Sequence, residues 1–204
     1  VAKTKKYYSK GDSVAKITSN GNGIATISDL PIGKYIVYET KAPKGYLLNE
    51  TIFNADIKYV NSTTPVVELK IDGVINTEPT GTIEIIKKDS ETGSMAQGDA
   101  TLENAVYKVY ADEDIYNVAK TKKYYSKGDL VATRTMDKNG KTTPIEELPL
   151  GKYLVKEDVA PKGYLLDKTE YSINLEYKDQ YTKVITNTTT SNELVKKMGV
   201  HIFK

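Results

Sequence analysis

Twelve residues recur unchanged in this chain: positions 1–12 and 118–129 both read VAKTKKYYSKGD. The match resumes at 30–35 (LPIGKY) against 148–153 (LPLGKY), and again at 42–48 and 160–166, which both read APKGYLL. Glu39 and Glu157 hold equivalent places, 157 − 39 = 118 positions apart. A repeat of that length is a domain and not a solenoid turn. Its register predicts three pieces. Residues 1–79 form a module that lacks its first strands, 80–190 a complete module, and 191–204 a linker plus the first strand of a following module. At the far end Val200, Ile202 and Lys204 alternate as Ile83, Ile85 and Lys87 do, 204 − 87 = 117 positions earlier.

The repeat is built of strand material. Tyr is abundant (16 residues), Trp is absent, and Thr, Val and Ile are frequent. Short apolar alternations are broken by turn sequences that tolerate positive φ, such as Asn20-Gly21-Asn22-Gly23 and Asp137-Lys138-Asn139-Gly140. The expected fold class is all-β, a tandem of sandwich modules. No long segment carries a 3.6-residue apolar period; 192–198 reads as one helical turn at most.

Composition removes several kinds of chemistry. There is no cysteine, so neither a disulfide staple nor a thiol nucleophile is available, and a single histidine, His201, argues against a His-based metal site or triad. No metal or other cofactor is expected. A net charge of +2 implies no strong attraction to nucleic acid or anionic membrane. Lys120, Lys122 and Lys123 with Tyr124 and Tyr125 read as a solvated strand and turn, and Asp112, Glu113 and Asp114 as a solvated acidic loop.

The chemistry lies on the strand 81–89. Alternation puts Ile83, Ile85 and Lys87 on one face, and two isoleucines mark that face as the core side. A lone ammonium in a core needs a partner or must lose its charge. Two other segments supply groups. Glu157 shares a face with Tyr153 and Val155, and Asn187 shares a face with Ile185. A buried Lys becomes a neutral nucleophile, and a buried Glu becomes a protonated shuttle. The amine can attack the Asn carboxamide, expel ammonia and leave an amide bond across the sheet. The other reading is a Lys–Glu ion pair hydrogen-bonded to Asn. Alternation alone leaves both open.

Five ordered blocks then carry a resemblance: GTIEIIKKDSETG at 81–93, Leu102 to Tyr107, the LPLGKYLVKE block ending at Glu157, Ala160-Pro161-Lys162-Gly163-Tyr164, and Asn187. Together they resemble the CnaB-type, or SpaA-like, prealbumin-like domain of Gram-positive surface adhesins and pilins, over nearly the whole chain. The resemblance implies seven-stranded sandwiches with a self-formed isopeptide bond. By position, Lys87 is the nucleophile, Asn187 the electrophile and Glu157 the catalytic proton shuttle. Glu39 and Asn76 are the equivalents in the partial module, whose lysine is absent, and Lys204 is the lysine of the following module. The implied role is a stalk or shaft repeat of an extracellular, cell-wall-anchored protein. It makes one bond per molecule and is not a turnover enzyme. Its partners are neighbouring modules of the same polypeptide, with host matrix reached through other domains. The alternative is a binding module for a host matrix protein or glycan. The two incomplete ends also suggest head-to-tail strand exchange, Lys204 entering beside Asn76.

Overall fold

A computed structural model of the chain describes residues 5–64, 66–93 and 96–193. In order the strands are β1 (Gly33–Val37), β2 (Phe53–Ile57), β3 (Thr80–Asp89), β4 (Val106–Ala111), β5 (Ile115–Tyr116), β6 (Lys123–Tyr125), β7 (Leu130–Thr135), β8 (Ile145–Leu148), β9 (Gly151–Val159), β10 (Tyr171–Leu175) and β11 (Val184–Glu193). The described residues contain no helix, so the all-β expectation holds.

Two compact units result. Unit 1 comprises Val1–Glu39 and Glu50–Val74, and unit 2 comprises Thr40–Asn49 and Ile75–Lys204. The compact units therefore do not follow the 79/80 boundary expected from the repeat. Thr40–Asn49 and Ile75–Pro79 belong with the complete module because backbone bonds fix them there. The Leu47 N–H donates to the Thr77 carbonyl at 2.8 Å, and the Leu48 N–H to the Gln180 carbonyl at 2.9 Å.

In unit 1, β1 and β2 form an antiparallel hairpin with Tyr35 opposite Ala55. Only Ala55 of its described hydrophobic residues is buried, while Ile24, Ile32, Ile36 and Ile52 are each about 60% exposed. A sandwich needs a second layer to cover such residues, and unit 1 has just this one two-stranded sheet among its described residues.

Unit 2 supplies both layers. One sheet has the order β10-β9-β4-β7, the other β11-β3-β8, seven strands in all, with β5 and β6 as a separate two-stranded ribbon. The core between the sheets is built from inward residues of alternating strands: Ile83 and Ile85 of β3, Tyr107 and Val109 of β4, Tyr153 and Val155 of β9, Ile173 and Leu175 of β10. Gly81 lies so close to Leu175 that a Cβ there would meet its Cδ1 at 2.3 Å, so a side chain at 81 would press on the core. β11 differs from expectation. The apolar letters end at Ile185, which predicts a strand over 183–187 and a linker over 188–192. The strand instead continues to Glu193, carried by Thr186 and Thr188–Thr190, whose β-branched side chains suit an extended chain although they carry no hydrophobic signal.

Candidate functional site

β3 alternates without a break. Gly81, Ile83, Ile85, Lys87 and Asp89 are buried, and the residues between them are half-exposed. Lys87 is 1% exposed and Glu157 7%, with both side chains wholly covered. Lys87 Nζ donates to Glu157 Oε1 at 3.0 Å, so the structure brings together the amine and the carboxyl expected from the sequence. The ammonium also lies over the rings of Tyr164 and Tyr107, 5.5 and 6.0 Å from their centroids. The lysine's own backbone is fixed from a turn. The Lys87 N–H donates to the Gly140 carbonyl at 2.8 Å, and Gly140 holds φ +70°, where a Cβ would stand 2.6 Å from the Lys87 carbonyl oxygen.

Burial drives both members of the pair toward neutrality. It pulls the Lys87 amine below its ordinary value, with Glu157 working against the shift. It pushes the Glu157 carboxyl up, opposed by the Asp167 amide and by Lys87. A neutral amine beside a protonated acid is the state that nucleophilic attack needs.

The sequence reading missed the groups around this pair. Glu157 Oε2 accepts the Asp167 N–H at 2.7 Å. Asp167 Oδ2 in turn accepts from the Tyr171 hydroxyl at 2.5 Å and from Ser191 Oγ at 3.1 Å. Burial alone would raise Asp167; donations from Thr169, Tyr171 and Ser191 outweigh it and hold the carboxyl below its ordinary value. Ser191 is fully buried and also bonds Tyr107. Two residues beyond Lys87, Asp89 is fully buried as well. Despite desolvation its pKa falls to about 2, because it accepts from the amides of Thr92 and Glu91, the Gln97 side chain and the Tyr164 hydroxyl.

The expected electrophile is not in this cluster. β11 runs parallel to β3 with Asn187 opposite Ile83 and Ser191 opposite Lys87. Asn187 has the expected face but the wrong level. Four residues at ~3.3 Å each separate their backbones along the ladder, about 13 Å in all, and it is Ser191 that stands at the level of Lys87. The apolar pattern stops the strand at Asn187, and its true continuation puts Ser191 at the lysine. Asn192 follows Ser191 and pairs with Lys88.

A signal in the repeat points to Asn192. The side chain of Asn49 donates to the carbonyl of Ile75, and the side chain of Asp167 accepts from Ser191. Positions 49 and 167 are repeat equivalents, 118 apart, and each side chain bonds the segment that leads toward the next lysine-bearing strand. Spacing from the next lysine agrees: 87 − 76 = 11, against 204 − 192 = 12 and 204 − 187 = 17. Glu39 is half-buried in unit 1, and the Asn76 side chain donates to the Leu47 carbonyl in unit 2 at 3.0 Å. Lys204 lies outside the described residues. No group of acidic or histidine side chains among the described residues is arranged to hold a metal.

Comparisons with known proteins bear on the fold and family. Among solved structures, a protein titled the Bacillus anthracis TIE protein is 28% identical with a TM-score of 0.53; the alignment covers 87% of this chain and 28% of that one. GBS52, the minor pilin of Streptococcus agalactiae, is 18% identical over 92% of this chain and 71% of its own, with a TM-score of 0.39. The major pilin SpaD of Corynebacterium diphtheriae is 22% identical over 56% of this chain and 30% of its own, with a TM-score of 0.37. The chain thus spans under a third of the TIE protein. No curated protein matches significantly. The family model described as the SpaA prealbumin-like fold domain matches residues 2–72 and 81–190. With most of its length matched and two facing sheets in its complete module, the chain belongs to the SpaA prealbumin-like domain family.

Proposed function

We propose that the chain is a load-bearing repeat of an extracellular, cell-wall-anchored stalk, a pilus or adhesin shaft. One observation carries this reading: the first and last strands of the complete module pair in parallel over ten residues, above a buried Lys87–Glu157 pair. The polypeptide enters β3 at Thr80 and leaves β11 at Glu193, at opposite ends of that ladder. Tension then slides the two strands along each other and loads every rung at once, instead of peeling rungs singly. The pilins among the structural relatives fit a shaft role.

A covalent tie between β3 and β11 completes the device. The neutral Lys87 amine attacks an Asn carboxamide. A carbon–nitrogen bond forms to Lys87, the bond to the original amide nitrogen breaks, and ammonia leaves. The protonated Glu157 gives its proton to the carboxamide as ammonia departs, and the carboxylate so formed takes up the proton that the attacking amine gives up. The acceptor in this reading is Asn192, the repeat equivalent of Asn76. Bringing Asn192 opposite Lys87 takes a one-residue shift of β11 along β3, which turns the faces of β11 over and carries Ser191 away from Asp167. The reaction occurs once per module, with no turnover and no redox partner, which suits a chain without cysteine.

Intact mass of the folded chain tests the bond. The expected result is a mass short by one ammonia, with a Lys87–Asn192 linked peptide after digestion. The full calculated mass refutes the covalent part of this reading.

A further inference from the structure

The heptapeptide Ala-Pro-Lys-Gly-Tyr-Leu-Leu occurs twice, and its copies have different surroundings. The copy at 42–48 is clasped within unit 2. The Ala42 N–H donates to Gln180 Oε1 at 2.8 Å, and the Leu48 N–H to the Gln180 carbonyl at 2.9 Å. The Tyr177 hydroxyl donates to the Tyr46 carbonyl at 3.2 Å. Leu47 and Leu48 are half-buried, and Gly45 approaches Val118 so closely that a Cβ would sit 2.9 Å from its Cγ1. One glutamine thus holds two amides six positions apart, recognising backbone that any copy of the heptapeptide presents. In the copy at 160–166, Leu165 and Leu166 are 52% and 44% exposed.

We propose that the 160–166 segment is a docking surface for the following module of the same polypeptide, which clasps it with the glutamine equivalent to Gln180. The occupant is argued from the other copy, since the same seven residues are already seated against Gln180 and Tyr177 of the module that follows them in sequence. The exposed leucines are the apolar half of that contact, and the backbone N–H groups are the polar half. A shaft built this way carries one such clasp per repeat. The inference rests on the tandem-repeat reading and not on the crosslink.

The test extends the chain by appending residues 88–204 after Lys204, which continues the repeat in register with its own linker. Amide hydrogen exchange is then compared with that of the 204-residue chain. Ala160 and Leu166 are expected to exchange at least about tenfold more slowly in the extended chain, independent of concentration. Slow exchange at the appended Val109 establishes that the new module is folded. Gln180→Ala in the appended copy removes the side-chain acceptor and is expected to abolish the slowing at Ala160, whereas Gln180→Glu, which keeps an acceptor oxygen, preserves it. Equal Ala160 and Leu166 rates in the two chains with the appended core protected overturn the proposal. Slowing in the 204-residue chain on concentration also overturns it, since the surface then pairs copies of the chain. A full intact mass together with a slowed Leu166 removes the crosslink and leaves the clasp.

Discussion

Replacing Glu157 with Gln probes the buried pair most directly. Both side chains are fully covered, and Lys87 Nζ sits 3.0 Å from Glu157 Oε1. The Glu157→Gln change removes the acid that partners the Lys87 amine. It also fails at the second oxygen, because Glu157 Oε2 accepts the Asp167 N–H and a carboxamide nitrogen there would set donor against donor. Breaking a buried pair from one side costs about 3–5 kcal/mol. At about 4–8 °C per kcal/mol for a domain of this order, the unfolding midpoint of the complete module falls by more than about 10 °C. The double variant Lys87→Met, Glu157→Leu separates charge from crosslink. Burying apolar side chains of similar size in place of an ion pair is neutral or stabilising by about 1–4 kcal/mol, offset by about 1–3 kcal/mol for the Asp167 N–H left without its acceptor. An uncrosslinked wild type therefore melts close to the double variant. If wild type carries the bond, the double variant loses a loop closure of roughly 100 residues, about 4–5 kcal/mol by the chain-entropy account, and melts below wild type. Calorimetry with intact mass reads both quantities. A Glu157→Gln variant that melts within about 2–3 °C of wild type, less than the shift from a single kcal/mol, with mass unchanged, refutes the reasoning about this pair.

Three further outcomes are expected. Asn192→Ala restores the full calculated mass while Asn187→Ala keeps the ammonia deficit; the reverse result on the two masses returns the acceptor to Asn187. Gly140→Ala forces a side chain into φ +70° and against the Lys87 carbonyl, and lowers stability by about 1–3 kcal/mol in denaturant titration; an unchanged midpoint removes Gly140 as a support of Lys87. Asp89 is held at about 2, below its unfolded value, so the stability it contributes is full above the ordinary carboxylate range and is lost as pH falls toward about 2. Asp89→Asn is expected to be less stable at pH 7 and to show a flatter loss of stability between about pH 4 and pH 2, and an unchanged acid limb contradicts this assignment.

Lys87 and Glu157 are legible in the sequence because each ends a run of alternating apolar residues, so a period of two is enough to turn them inward. Alternation turns Asn187 inward in the same way, opposite Ile83. Alternation gives the face of a residue but not its level against a neighbouring strand, and level is set by where the ladder starts and stops. Thr186 and Thr188–Thr190 extend β11 without any apolar letter to announce it. Ser191 and Asp167 are invisible because polar residues in the core are justified by partners elsewhere in the sequence; Asp89 shares the inward face of Ile83, Ile85 and Lys87, but its partner Tyr164 stands 75 positions distant. The one usable hint is the repeat itself, which sets Asn76 beside Asn192 when measured from the next lysine. The segment 40–49 escapes for a similar reason, since its partners Thr77 and Gln180 are backbone and amide acceptors with no pattern of their own.

A smaller feature of the fold is common to both units. In each, the tyrosine of the Leu-Pro-x-Gly-Lys-Tyr block donates its hydroxyl to the proline carbonyl four residues earlier, Tyr35 to Pro31 and Tyr153 to Pro149, both at 2.6 Å. Such a ring closes over five consecutive residues and requires no distant strand. As the polypeptide emerges during synthesis, this corner can form before the rest of its sheet exists, because contacts so local lose little chain entropy on closing. Every repeat then begins β1 or β9 from a pre-set bend, and the glutamate four residues further on is aimed before the sheets close over it.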